Sequence, residues 1–297
     1  MEIRVLEYFL AVAKEQSISR GAEVLHLSQP TLSRQLKDME DELGKQLFIR
    51  GNRHITLTDE GILLKKRAEE IIDLLRKTEN DIKFSDEIVS GTIYIGAGET
   101  DVIRLIARTA KKLQQKYPMI QYNIFSGDAP DVSERLGKGL IDFGILFEPI
   151  DLSKFEHIKI PVKDSWGVLM RKDSVLAEKN YITPPDLWDK PLIVSRQQNE
   201  TSALSEWIGR PFKSLNVTAS YNLVYNASIM VDEEMGYALC LDKLINVSGN
   251  SNLCFRPLQP ELHAEMHFVW KRNQILSKGA EKFLEYFIDE LKKYRKE

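Results

Sequence analysis

Residues 28–37, Ser-Gln-Pro-Thr-Leu-Ser-Arg-Gln-Leu-Lys, hold a dense set of side chains suited to hydrogen-bonding a nucleic acid. Gln29 and Arg34 can meet an adenine or a guanine edge bidentately. Ser28, Thr31 and Ser33 are short hydroxyls able to bond a base or a phosphate, and Lys37 adds a point charge. Spacing decides whether they act together. Leu32, Leu36, Met39 and Leu43 recur at intervals of 4, 3 and 4, which predicts the buried face of a helix. At about 100° per residue, Pro30, Arg34 and Lys37 fall on the opposite face, flanked by Thr31 and Ser33. Gln29 projects from the N-terminal tip. Asp38, Glu40, Asp41 and Glu42 crowd the other half of the helix. At about 1.5 Å per residue they lie roughly 10 Å or more from the tip, clear of a groove entered by the first turns.

A second cluster follows. Leu47-Phe48-Ile49 and Ile55-Thr56-Leu57 are strand-like runs around Gly51-Asn52, a turn signal. The pattern predicts a β-hairpin wing with Arg50, Arg53 and His54 at its tip, suited to phosphate contact. The elements that must position both clusters lie just upstream. Val5, Leu6, Phe9, Val12 and Ala13 predict a helix over 4–15. Ser17 or Ser19 caps a second helix, with Ile18, Ala22 and Leu25 on one face. His26-Leu27-Ser28 is then a tight turn, Ser28 caps the third helix, and Pro30 sits harmlessly in its first turn. Gly44 ends it. Two helices joined by so short a turn make a helix-turn-helix, whose second helix places its N-terminal part against base edges in the major groove.

Bulk charge does not announce this chemistry. The net charge is −3, and acidic and basic residues balance within residues 1–58, so a nucleic-acid role rests on where the charges sit. A length of 297 residues suggests two domains of ordinary size, and the composition, 43% hydrophobic and 29% charged, is that of a soluble globular chain. No run approaches the roughly 18 apolar residues of a membrane span. The N-terminal segment is charged and lacks a signal-peptide pattern, so the cytoplasm is the expected compartment.

The stretch SISRGAEVLHLSQPTLSRQLKDMEDELGKQLFIRGNRHITLTDEG closely resembles the winged helix-turn-helix of LysR-type transcriptional regulators, over about residues 3–61. The shared features are the small-residue second helix, Ser-Gln-Pro-x-Leu-Ser, the Leu-Gly helix ending, Leu-Phe-x-Arg and Leu-Thr-x-x-Gly. Gly21 departs from the usual Ala. The resemblance implies that Gln29, Pro30, Ser33 and Arg34 approach bases, while Ser28, Thr31, Lys37, Arg50 and Arg53 approach the backbone.

Beyond the wing, residues 58–88 contain no Pro and only Gly61. Leu64, Ala68, Ile71, Leu75, Thr78 and Ile82 predict a heptad seam. The expectation is a linker and dimerisation helix over 59–89, with Leu64, Ala68, Ile71, Leu75 and Ile82 joining two chains on an interrupted palindromic DNA site. The resemblance implies the same dimer or tetramer, and RNA polymerase as a further partner.

From residue 90 strands and helices alternate, which predicts parallel α/β structure in two lobes, 90–160 with 267–297 and 161–266. This layout resembles the family's effector-binding domain, a fold shared with type II periplasmic binding proteins. The Tyr117-Pro118 pair, the Gly139-Leu-Ile-Asp142 stretch and Met235-Gly-Tyr-Ala-Leu239 carry that likeness, although a Pro often found shortly afterwards is absent. Ligands of open α/β folds sit at the carboxyl ends of strands. The candidates there are Gly98, Glu99, Thr100, Ser126, Gly127, Phe147, Ser195, Arg196, Tyr225 and Asn226. The Thr100 hydroxyl at a helix start and the Arg196 guanidinium point to a small metabolite, an organic anion, while Glu99 weighs mildly against it.

Other signals carry less. Gly96 and Gly98 begin a dinucleotide-like fingerprint, but Asp101 stands where its third Gly belongs. His263 and His267 have helical metal-ligand spacing beside a strand-like run, and no metal is expected. Cys240 and Cys254 invite comparison with redox-sensing members of the family, yet both lie in apolar runs typical of buried free thiols. No catalytic constellation is visible. The expectation is a homo-oligomeric DNA-binding regulator, without cofactor or catalysis, modulated by a small-molecule effector. A solute-binding protein leaves residues 1–60 without purpose, and an enzyme fused to a DNA-binding module requires a site the sequence does not display.

Overall fold

In the computed structural model, Ser17 and Ser28 act as their local chemistry predicts. Both adopt extended backbone and turn their hydroxyls onto the amides of Arg20 and Thr31. They open α2 (Ile18–Val24) and α3 (Gln29–Leu43), which follow α1 (Ile3–Glu15). The structure describes residues 1–51, 54–83, 89–198 and 202–294. The chain divides into two compact units, Met1–Ser85 and Asp86–Glu297.

In the first unit, Gly44 takes the left-handed conformation, φ 63°, that closes α3 without a side-chain clash. The wing strands β1 (Phe48–Arg50) and β2 (Ile55–Leu57) pair antiparallel, Ile49 opposite Thr56. Helix α4 (Asp59–Lys83) completes the unit. Phe9, Val12, Leu32, Leu36, Met39, Leu47, Phe48, Ala68 and Ile72 form its core. The rings of Phe9 and Phe48 meet at 5.1 Å. Gly61 lets α4 start against the wing, since a Cβ there would lie 2.2 Å from the Leu47 carbonyl oxygen.

Two expectations fail here. Leu43 is 42% exposed, because α3 runs one turn past the core that receives Leu32, Leu36 and Met39. The proposed seam of α4 is also split. Ala68 is fully buried in the unit's own core and is not free for a second chain, and the half-buried Leu64 packs against that same core. Of the exposed large apolar residues, Leu63, Ile71, Leu74 and Ile82 lie within an arc of roughly 100° on the adjoining face, with Ile62 outside it. Of the expected seam, Ile71 and Ile82 stay outward and Leu75 is half-buried.

The second unit has two lobes. The first contains β3 (Gly91–Ala97), α5 (Ile103–Lys116), β4 (Ile120–Ser126), α6 (Ala129–Gly137), β5 (Phe143–Phe147) and β6 (Phe155–Lys159). The chain then crosses to β7 (Asp164–Arg171), β8 (Leu192–Ser195), α7 (Ala203–Ile208), β9 (Val217–Tyr221), α8 (Val224–Asp232), β10 (Tyr237–Leu241), β11 (Leu253–Pro257) and β12 (His263–Ala264). It returns as β13 (Met266–Lys271) and ends with α9 (Lys278–Tyr294). The sheets run β4-β3-β5-β13-β6 and β11-β7-β10-β8-β9, with β12 on the edge of β7. Strand β3 is parallel to both its neighbours, while β13, coming home from the other lobe, is antiparallel to β5.

Aromatic packing anchors the first lobe, with Phe268 lying 5.0 Å from Phe143 and 4.2 Å from Phe287 between ring centres. The second sheet buries apolar residues on both faces, Val168, Met170 and Leu239 on one, Leu169, Ile193 and Ala238 on the other. Cys240 and Cys254 are both buried, on β10 and β11. Strand β7 runs between those two, which sets the strands roughly 10 Å apart, and the thiols pack into the cores on opposite faces of the sheet, so they cannot bridge. Burial pushes the Cys240 thiol up to about 12, which keeps it protonated and inert.

Candidate nucleic-acid interface and inter-lobe cavity

The N-terminal face of α3 is open to solvent. Gln29, Pro30, Thr31, Arg34 and Lys37 are exposed and Ser33 is half-buried. Ser28 spends its hydroxyl on the helix cap and lies 2.7 Å from the Thr31 hydroxyl, which locks the tip. The Arg34 side chain is 83% exposed, with a 3.9 Å approach to Asp38 one turn away. That pair is long and solvated, and it leaves the guanidinium fork available. On the wing, the Gly51 amide donates to the His54 carbonyl, 3.1 Å. Arg53 lies outside the described residues, as does the side chain of Arg50.

The acidic half of α3 has a role that composition concealed. The Glu40 carboxylate accepts from the backbone amides of Leu47 and Phe48, at 2.7 and 3.2 Å, and so ties the wing to the helix. Glu42 accepts from the N-terminal ammonium of Met1 at 2.7 Å. Two of the four acids are therefore engaged inside the unit and are not a free negative patch.

In the second unit a cavity of about 230 Å³ lies between the lobes. Gly98, Glu99, Gly127, Phe147 and Ser195 line it as expected from their places at strand ends. The other five expected residues do not. Thr100 is buried, because its hydroxyl donates to Asp164 across the lobe boundary at 2.5 Å and is closed off from the cavity. Ser126 is exposed and turned away. Arg196 binds Asp128 at 2.7 Å and Asp131 at 2.9 Å, outside the lining. Tyr225 and Asn226 sit on the exposed side of α8, since β9 ends at Tyr221 and the chain turns helical where a strand was expected.

Sequence reasoning missed most of the second lobe's contribution. Trp166, Gln197, Gln198, Tyr221, Asn222, Leu241, Leu244 and His263 are among its other walls, with Glu148 from the first lobe. The aromatic and amide types were visible, but which strand ends face one another depends on sheet order.

Charged groups knit the lobes together. Glu99, in the first lobe, accepts from the Val224 amide that opens α8 in the second. Burial pushes the Glu99 carboxyl up against the pull of that amide. Burial raises Asp164 as well, opposed by the Thr100 hydroxyl. Burial also acts on Asp128, yet the Asp131 amide and Arg196 together outweigh it and hold that carboxyl low. At the crossover, Glu265 binds both Lys159 and Lys163, whose hydrogen bonds bring it down to about 2. His267 is buried with Nε2 2.7 Å from Glu148, and that hydrogen bond is the main cause holding Glu148 low. His263 instead contacts Glu261 and Ser165. The two histidines thus serve separate partners, and no group of three potential metal ligands occurs among the described residues. No helix there is long and apolar enough to cross a membrane.

Comparison with known proteins matches both units. Residues 3–62 fit the profile of a bacterial regulatory helix-turn-helix protein of the lysR family, and residues 87–292 fit the LysR substrate binding domain. The chain is 27% identical over 290 residues to the uncharacterized HTH-type transcriptional regulator YvbU of Bacillus subtilis, covering 96% of this chain and 97% of that one. It is 30% identical over 232 residues to the HTH-type transcriptional regulator YtlI of Bacillus subtilis, covering 76% and 74%. In fold it is similar to CbnR, a LysR family transcriptional regulator, with a TM-score of 0.78 at 17% identity over 98% of this chain and 99% of that one. CbnR complexed with its target DNA gives 0.75 at 18% identity, over 98% and 100%.

Proposed function

The chain belongs to the LysR family of bacterial transcription regulators, with a DNA-binding helix-turn-helix and an effector-binding domain, and on that premise we propose which residues do the work. Gln29, Pro30, Ser33 and Arg34 meet base edges in the major groove. Ser28, Thr31, Lys37, Arg50 and Arg53 hold phosphates on either side. The observation that carries this reading is the capped, solvent-facing tip of α3 with the unburied Arg34 fork.

Two copies join through the exposed face of α4, at Leu63, Ile71, Leu74 and Ile82, and span two half-sites of an interrupted palindrome in the cytoplasm. The inter-lobe cavity receives a small-molecule effector. Its binding and DNA binding are coupled reciprocally, so the effector changes operator affinity by the factor by which operator changes effector affinity. The protein is a regulator, not an enzyme.

Arg34→Ala tests the groove assignment by mobility shift on the DNA upstream of its own gene. Each lost bidentate contact should weaken specific binding by about 1–3 kcal/mol, with melting temperature unchanged because the side chain is solvated. Undiminished sequence preference in the variant would remove Arg34 from the base-reading set.

A further inference from the structure

The inter-lobe cavity is walled by apolar side chains, neutral hydroxyls and amides, His263 and the carboxylates Glu99 and Glu148. Neither Lys nor Arg lines it among the described residues, and Arg196 is held by Asp128 and Asp131 outside the lining. Glu99 lines it half-buried, with no cationic partner among the described residues. Its carboxylate accepts from the first amide of α8, the place where a ligand's own anion would seat on a helix N-terminus. The protein has filled that seat with its own charge. Gln198 adds a side-chain oxygen that is buried and has no hydrogen-bond partner among the described residues. A buried acceptor without a donor is costly, so it favours a ligand that supplies one.

The remaining titratable groups on the walls are already engaged. Glu148 is bound by His267 and Lys159, and His263 by Glu261 and Ser165. Phe147, Trp166, Leu241 and Leu244 supply apolar surface.

We propose that the cavity selects an organic cation, a protonated amine on a compact apolar body, with its N–H groups donating to Glu99 and with Gln198 as a further acceptor. This inference rests on the reading of the cavity as the effector site. It reverses the organic anion suggested by Thr100 and Arg196, both of which the fold withdraws from the cavity. An anion there would meet a half-buried carboxylate with no Lys or Arg among the described lining residues to offset the repulsion, whereas an ammonium offsets its own desolvation by pairing with that carboxylate. Phe147 and Trp166 in the same lining supply aromatic rings, whose faces attract cations.

The test uses the full-length protein and three matched pairs: benzylamine with benzoate, phenethylamine with phenylacetate, and 3-methylbutylamine with 3-methylbutanoate. Binding is read by calorimetry and thermal shift near neutral pH. The amines should bind at least about tenfold more tightly than their acids, the ratio expected from a single charge-assisted hydrogen bond. Glu99→Gln, which keeps an acceptor for the Val224 amide, should collapse that preference, and Glu99→Asp should restore part of it. If the variants fail to fold, the wild-type ratio of amine to acid decides alone. Tighter binding of the acids, or a ratio indifferent to Glu99→Gln, overturns the cation assignment and leaves the effector site standing. Failure of all six probes on the wild-type protein removes the cavity as a ligand site and the inference with it.

Discussion

Glu40 looks from the sequence like one member of a solvated acidic run, and its replacement by Ala is the sharpest test of what the fold makes of it. One carboxylate oxygen accepts two backbone amides, from Leu47 at 2.7 Å and Phe48 at 3.2 Å. Both residues are buried, with relative exposures of 2% and 8%, so neither amide has ready access to replacement water. A hydrogen bond to a charged acceptor contributes about 1.5–3 kcal/mol net. The shorter bond should sit in that range and the longer one below it, with some return of water, so the truncation costs about 2–3 kcal/mol. The cost falls on the attachment of the wing rather than on the whole chain. Amide hydrogen exchange of full-length protein, followed for the segment spanning residues 46–58, measures it directly. Exchange should accelerate by roughly thirty- to 150-fold at about 1.4 kcal/mol per factor of ten. Operator affinity should fall as the wing loses its register against α3. Glu40→Gln retains one oxygen of the right kind and should recover most of the protection. Unaltered exchange in Glu40→Ala would refute the assignment of Glu40 as the wing's anchor.

The remaining predictions concern α4 and the lobe crossover. Ala68→Glu buries a charge in the core of the first unit and should destabilise it by about 3 kcal/mol or more, seen in chemical denaturation. Ile71→Glu on the outward face should leave that stability alone and shift sedimentation toward monomer; the opposite pattern would reinstate the heptad seam read from the sequence. Glu265 has its carboxyl lowered from 4.5 to about 2 by Lys159 and Lys163. A lowered carboxyl stabilises the fold above its unfolded value and loses that contribution as pH falls toward the folded one. Melting temperature should therefore drop on acidification below about pH 4.5, and the drop should be shallower in Glu265→Gln; parallel curves would remove Glu265 as its source.

Determinants that act within a few residues were legible in the sequence. The serine caps, the proline in the first turn, the Gly44 stop and the apolar periods of α1 and α3 are local chemistry, and each acts with little help from distant parts of the chain. They are enough to delimit the helix-turn-helix and to aim Arg34 and Lys37 outward. The alternation of strand and helix likewise announced two α/β lobes and placed Gly98, Glu99, Gly127, Phe147 and Ser195 at strand ends.

Partners far along the chain were decided only by the tertiary structure. The Glu40 link to the wing spans 7 and 8 residues, Thr100 meets Asp164 across 64, and Arg196 meets Asp128 across 68. No local pattern encodes such pairings, and each withdraws a polar side chain from the role its type suggests. Helix α4 shows the same limit: two neighbouring apolar stripes share one sequence, and only packing against α1 selects Leu64, Ala68 and Ile72 as the inner one. The side-chain types specified what each residue can bond. The order of strands and the docking of helices chose which bond is made, because that choice is a comparison between partners the linear chain holds apart.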